Sequence, residues 1–471
     1  MKIKPCLYYL GLSCFPISLM ALINIFYSFY FDYLVNIYSY LTVLVLSLIV
    51  GLIFFRIGKT YKDSITIYEQ LLLIFLVYFF ISLFISIPYY ISNYQISFVN
   101  SYFESISGLT GTGFTIFEYI KSLDQPLLLW RSSSQWIGGL YFLIFLVLIF
   151  SNKQINYKLT DLLFNLEKKT NLNPNLLPVA NRIFVIYLFL SFIIFFLFFI
   201  SGVRLFDSLN LTMTIVSSGG FLPTDSLNQI ITNNFQSIIL CLSFMLTILN
   251  FYLFYNLILN RNSLKEHKED FYLVILIIIF SMFFFLIDRT SLISVFINVL
   301  SSISTSGIST VTVKENFTLY FIILTIVGGS VFSTTSGIKF LRIYILIKGF
   351  VIEIYKLVKP NVVLNTKIML TDKRVNTINI KMSFLIFILF FLSLFILSSI
   401  LLIDFFNFES SFKLSILTLT NTAASNIYGL EEISFANLFT FTKISLIIFM
   451  VIAKVELLAI FILIQKVFFK D

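Results

Sequence analysis

Histidine and cysteine are nearly missing from this chain, and charge is thin along its whole length. His267 is the single histidine among 471 residues, and it lies in a charged loop. Histidine-based catalysis and imidazole-held metals have only that one side chain to draw on. Cys6, Cys14 and Cys241 are too few and too scattered for a disulfide frame or a metal site, and read as free apolar cysteines. Neither a phosphate loop nor a dinucleotide fingerprint occurs. Charged residues make up 12% of the sequence and hydrophobic ones 59%, where soluble domains carry about 25% and about 45–50%. Too little polar surface remains to cover a soluble core. The composition is that of a membrane protein.

A net charge of +9 raises nucleic acid as a partner. The charges argue against it, because they sit in short gaps between apolar runs of spanning length, which makes the lipid bilayer the partner. A span needs roughly 20 mainly apolar residues. Such runs lie near 6–30, 36–56, 68–91, 130–151, 181–202, 236–260, 271–288, 317–349, 379–404 and 440–468. The first follows Lys2 and Lys4 and imitates a signal peptide. It lacks a convincing small-residue cleavage site, so it reads as a retained helix.

Shorter stretches bearing Ser, Thr and Gly lie near 96–116, 206–222, 291–310 and 410–427. They are too short and too polar to span. Lipid tolerates such re-entrant backbone only where protein or a water-filled cavity covers it. Ten crossings put both termini on one side, and most Lys and Arg then fall inside, from Lys2, Lys4 and Arg56 to Lys466 and Lys470. That bias predicts a cytoplasmic N-terminus and C-terminus. After two N-terminal helices (1–62), one unit of span, re-entrant segment and span repeats over 63–152, 153–262, 263–360 and 361–471. The expected fold is an all-α membrane protein of about ten transmembrane helices. Its four pseudo-symmetric repeats share one topology and surround a central pore along the membrane normal.

The re-entrant segments end in Thr110-Gly111-Thr112-Gly113, Ser217-Ser218-Gly219-Gly220, Thr305-Ser306-Gly307 and Asn421-Thr422-Ala423. Each follows a short apolar stretch with helical potential. Glycine permits the positive φ that turns successive carbonyls toward one axis, and a ring of carbonyls replaces the hydration shell of an ion. The half-helix C-termini add partial negative charge. One such cluster is most often close helix packing. Four, at matching places, point to a cation filter.

Phe103-Glu104-Ser105-Ile106-Ser107-Gly108-Leu109-Thr110 with Thr112-Gly113 resembles the first pore loop of the Trk/Ktr/HKT superfamily of potassium transporters, closest to the bacterial TrkH type. Trp130-Arg131 and Gln135-Trp136-Ile137-Gly138-Gly139 resemble the helix after it, and Gly219-Gly220-Phe221 with Thr224-Asp225 the second loop. Gly328-Gly329-Ser330, then Ser333-Thr334 and Gly337-Ile338-Lys339, resembles a broken helix that forms an intramembrane gating loop. The resemblance runs through nearly the whole chain. It implies K⁺ held by filter carbonyls, no cofactor in this chain and no enzymatic activity. It further implies a gate at about 328–337, a homodimer in the bacterial inner membrane, and a cytosolic TrkA-type nucleotide-binding subunit that opens the gate.

The chain departs from the family pattern at three places. Ala423 stands where a filter glycine is expected, and alanine forced into left-handed geometry costs roughly 1–2 kcal/mol. That strain, or a differently oriented carbonyl, leaves selectivity between K⁺ and Na⁺ open. Phe332, Thr335 and Ser336 replace small glycines in the gating loop, implying a bulkier one. Lys454 replaces an arginine that in the family projects into the pore. A charge at the bilayer centre costs about 2.5–3.5 kcal/mol and marks a functional site by default. Snorkelling fits poorly, since Lys454 is roughly 21 Å from either end of its span at 1.5 Å per residue; Glu456 cannot face it on one helix. Arg131 and Glu104 are candidates to pair. Glu118, Asp225, Glu431 and Glu432 are either cation-concentrating charges at the outer mouth or ordinary solvated ones. A Na⁺-permeant relative, a non-conducting subunit and an intramembrane enzyme are the competing readings; the last finds no nucleophile, metal or acid–base pair beyond Lys454 and Glu456.

Overall fold

In lipid the only partners for backbone polar groups are within the protein, so long apolar runs fold as helices. The computed structural model describes residues 3–64, 66–151, 176–259, 267–288, 291–310, 317–359, 377–404, 407–430 and 433–455. The basic residues at 152–175, 260–266 and 360–376 lie outside them, as do Lys2, Arg289, Lys314, Glu431, Glu432, Glu456, Lys466 and Lys470.

All regular elements among the described residues are helical. Two N-terminal helices, α1 (Ile3–Tyr30) and α2 (Ile37–Gly58), pack along each other. Gly11, Gly51 and Gly58 let them approach: a β-carbon on Gly11 would stand 2.6 Å from Phe55 N. The first quarter follows as α3 (Ile67–Ile91), short α4 (Phe98–Thr110) and α5 (Gln125–Ser151). The second is α6 (Leu176–Ile200), short α7 (Leu205–Val216), α8 (Asn234–Ile248) and α9 (Phe251–Leu259). The third is α10 (Lys268–Asp288), short α11 (Leu292–Ile303), α12 (Thr318–Val327) and α13 (Phe340–Val358). The fourth is α14 (Thr377–Leu401), short α15 (Phe408–Leu419) and α16 (Thr440–Val455).

Six of these helices are long and apolar enough to cross a membrane: α1, α2, α3, α6, α10 and α14. The 27-residue α5 carries Arg131, Gln135 and a run of serines. Each short helix packs between the spans that flank it and also touches the span closing the preceding quarter: α4 on α16, α7 on α5, α11 on α8, α15 on α12. That rule, applied four times, closes a ring.

One expected span is corrected. The run at 236–260 is interrupted between α8 and α9, although its sequence is apolar on both sides. The freed backbone groups find tertiary partners. Asn250 N donates to Asp270 Oδ1 (3.0 Å) and Phe251 N to Phe332 O (2.9 Å), while Ser330 N donates to Ile248 O (3.1 Å). The break is a dock for the loop between α12 and α13.

Candidate functional site

All four short helices end in the same way. In the first, Gly111 N donates to Gly108 O (2.9 Å) and Thr112 N to Ser107 O (2.9 Å). The pair recurs as Ser218 N to Ile215 O (2.9 Å) with Gly219 N to Thr214 O (2.8 Å). The third and fourth are Thr305 N to Ser302 O (3.1 Å) with Ser306 N to Ser301 O (3.1 Å), and Asn421 N to Thr418 O (3.2 Å) with Thr422 N to Leu417 O (2.9 Å). This is a Schellman terminator, which needs one left-handed residue. Gly111 (φ 76°), Ser218 (55°), Thr305 (58°) and Asn421 (46°) supply it. Three of the four are not glycine, and a β-branched residue there is strained. This positive φ falls two residues before the expected positions Gly113, Gly220, Gly307 and Ala423.

At that later level Gly113 (φ 79°) and Gly307 (φ 69°) are left-handed. Gly220 and Ala423 are not, so the strain feared at Ala423 is absent and the ring is twofold rather than fourfold in its backbone. The four positions converge. A β-carbon on Gly113 would stand 2.8 Å from Gly220 Cα and 2.9 Å from the Ala423 methyl. One on Gly220 would overlap that methyl and lie 2.8 Å from Ser306 O, and one on Gly307 would overlap Ala423 O. Neighbours therefore run one, two, three, four and back to one, with the Ala423 methyl reaching the second quarter opposite. Ser107 Oγ and Thr214 Oγ1 pin the first two segments by donating to Phe114 O (2.7 Å) and Phe221 O (2.8 Å). Leu417 stands at that place in the fourth and has no hydroxyl.

Beneath this ring lies the loop between α12 and α13, with Gly328 (φ 64°) and Gly337 (φ 81°) at its two ends. The strained layer touches it directly: Ser218 Oγ and Thr334 Oγ1 are 2.8 Å apart, and Ser336 N donates to Thr305 Oγ1 (3.0 Å). Asn421 Nδ2 donates instead to Thr112 Oγ1 (2.9 Å) and Met450 O (3.0 Å), tying the fourth quarter to the first and to α16. Gly329 N donates to Thr335 Oγ1 (3.0 Å), Val331 N to Glu269 Oε1 (3.2 Å), and Phe332 packs edge-on against Tyr252. Phe332, Thr335 and Ser336 thus anchor the loop.

Lys454 is 2% exposed. Its ammonium donates to Ser336 Oγ (3.3 Å), lies 4.5 Å from the Phe142 ring centre, and would be 3.6 Å from a β-carbon on Gly111. The lysine thus stands under the ring, buried beside the loop.

The α5 motif supports two quarters at once. Gly138 and Gly139 face Leu109 and Ser217 so closely that a β-carbon on Gly138 would overlap Leu109 O. Gln135 Oε1 accepts from Phe221 N (3.2 Å). Arg131 and Glu104 pair at 3.0 Å, both fully buried. Of the proposed outer charges, Asp225 Oδ1 accepts from Ile120 N (2.7 Å) and Lys121 N (3.2 Å), and Glu118 accepts from Ser434 Oγ (3.3 Å). These staple loops to one another. Among the described residues no group of His, Cys, Asp and Glu could hold a metal ion.

Four helix–loop–helix quarters around one axis define an all-helical membrane fold. The fold matches the crystal structure of the potassium transporter TrkH from Vibrio parahaemolyticus with a TM-score of 0.88, at 20% identity over 99% of this chain and 100% of that one. The chain is 28% identical to an uncharacterized cation transporter of Methanocaldococcus jannaschii over 316 residues, 66% of this chain and 65% of that protein. It is 25% identical over 295 residues to the Trk system potassium uptake protein TrkH of Salmonella typhimurium, and covers 60% of it. To TrkG of Escherichia coli it is 29% identical over 344 residues, 67% of this chain and 70% of the relative. The matches to the first two of these relatives span less than two thirds of their own lengths. No protein-family model matches. The chain is thus similar in sequence to Trk-type potassium uptake proteins and in fold to TrkH.

Proposed function

We propose that this chain carries K⁺ across the bacterial inner membrane through the axis ringed by Gly113, Gly220, Gly307 and Ala423. The convergence of those four backbones is the observation that carries the reading. Relatives named as potassium uptake proteins support it. Carbonyls of residues 110–113, 217–220, 305–307 and 421–423 would replace the ion's water. The segment from Gly328 through Gly329 and Ser330 to Gly337 serves as the gate, with Lys454 as a fixed cation barrier. A homodimer on a cytosolic nucleotide-binding ring, with both termini cytoplasmic, completes the reading. The test is growth of a K⁺-uptake-deficient bacterium at low K⁺, with and without a ring subunit. No rescue in either case, with no Rb⁺ uptake into liposomes, overturns it.

Lys454→Ala is expected to raise Rb⁺ influx by about tenfold, a fraction of the ~4 kcal/mol that a like charge about 4 Å away imposes at an effective dielectric of 20. Unchanged influx removes Lys454 from the mechanism.

A second reading, a Na⁺-permeant pathway, is favoured by one observation: the Ala423 methyl intrudes between Gly113 and Gly220. Ala423→Gly is then expected to raise the ratio of Rb⁺ to Na⁺ uptake in liposomes. An unaltered ratio discards the methyl as a determinant of selectivity.

A further inference from the structure

Lys339 is 2% exposed and holds φ 80°, where residues with a β-carbon are strained. Something must hold it there. Its ammonium meets four oxygens from one turn of the intramembrane loop: Ser333 O (3.3 Å), Ser333 Oγ (3.3 Å), Thr335 Oγ1 (3.1 Å) and Thr335 O. An ammonium has three N–H donors, so four oxygens around it resemble the coordination of a bare cation more than one-to-one hydrogen bonding. The turn braces itself around that point, with Ser333 Oγ donating to Ser330 O (2.7 Å) and lying 2.7 Å from Thr335 Oγ1. The Phe142 ring centre is 5.6 Å from the ammonium. Two carbonyls, two hydroxyls and a ring face all favour a positive occupant.

We propose that the turn from Ser333 to Thr335 is a monovalent-cation site that the chain fills with its own Lys339 ammonium, and that this internal cation keeps the loop folded. Without the ammonium, the site takes a bare cation of similar size, K⁺ or Rb⁺. That the loop gates the axis rests on the reading above; the site itself does not.

Lys339→Gly is the variant of choice, because it removes the ammonium and suits φ 80°. In choline chloride the purified variant is expected to melt below the parent. Titrating RbCl should recover most of that loss, as a ligand that binds only the folded state does. The parent should gain only the smaller rise owed to sites shared by both. Adding Thr335→Val to Lys339→Gly should abolish the extra Rb⁺ response, and thallium scattering should mark the turn in Lys339→Gly alone. Equal Rb⁺ shifts in parent and variant, or no thallium at the turn, overturn the proposal. Rb⁺ uptake by the parent in liposomes tests the transport reading separately, so either can fail while the other stands.

Discussion

Gly220→Ala is expected to reduce Rb⁺ flux about a hundredfold while leaving the protein folded. Gly220 lies outside the left-handed region, so alanine meets no backbone strain there. The added methyl has one destination, the space among Gly113, Ser306 and Ala423, and it would overlap the Ala423 methyl. Overpacking of that kind costs about 1–3 kcal/mol, and at about 1.4 kcal/mol per decade the upper end is about two decades. Gly202 is the control. It is left-handed at 86° with nothing within 4 Å of a built β-carbon, so Gly202→Ala should cost about 1 kcal/mol of stability and no flux. Because the obstruction is shared, Ala423→Gly should partly rescue Gly220→Ala, a coupling that a double-mutant cycle reads directly. Liposome uptake decides the matter: undiminished flux in Gly220→Ala means that the ring lines no passage.

What the sequence discloses and what it hides divide along a physical line. Long apolar runs are self-sufficient signals, because each span satisfies its own backbone. Six spanning helices follow from them, whereas the break after Val327 is expected from the resemblance at Gly328-Gly329-Ser330 and not from the apolar run at 317–349. The interruption at Asn250 is different. One asparagine in an apolar run marks no break by itself, and the freed groups are satisfied by Phe332, Ser330 and Asp270, all distant in sequence. The left-handed layer is hidden for the same reason. Nothing local predicts that Ser218 and Thr305 accept positive φ; their hydroxyls gain partners in the loop at Thr334 and Ser336. Glycine spelling identifies where backbones crowd, as at Gly220, better than where φ is positive.

Arg131→Met should be among the most destabilising single changes in the chain, and flux should vanish with it. Removing one partner of a buried ion pair costs about 3–5 kcal/mol, because the other charge is left uncompensated. Glu104 would keep only Thr115 Oγ1 (3.1 Å) and Ile116 N (2.9 Å) as donors. Arg131 also does more than neutralise Glu104. Its guanidinium reaches Thr115 Oγ1 (3.0 Å) and Leu222 O (3.5 Å) and lies 4.2 Å from the Phe221 ring centre. It therefore joins the residues that follow the first and second ring glycines. Stability and flux should separate in the double variant Glu104→Met with Arg131→Met. With no orphaned charge, its melting temperature should recover most of the loss, since apolar replacements of buried pairs are often neutral. Flux should stay low, because Ile116 N and Leu222 O are still released. Thermal melts in detergent beside liposome uptake resolve the two effects. Full recovery of both would make the pair a matter of charge balance alone and would remove it from the positioning of the ring.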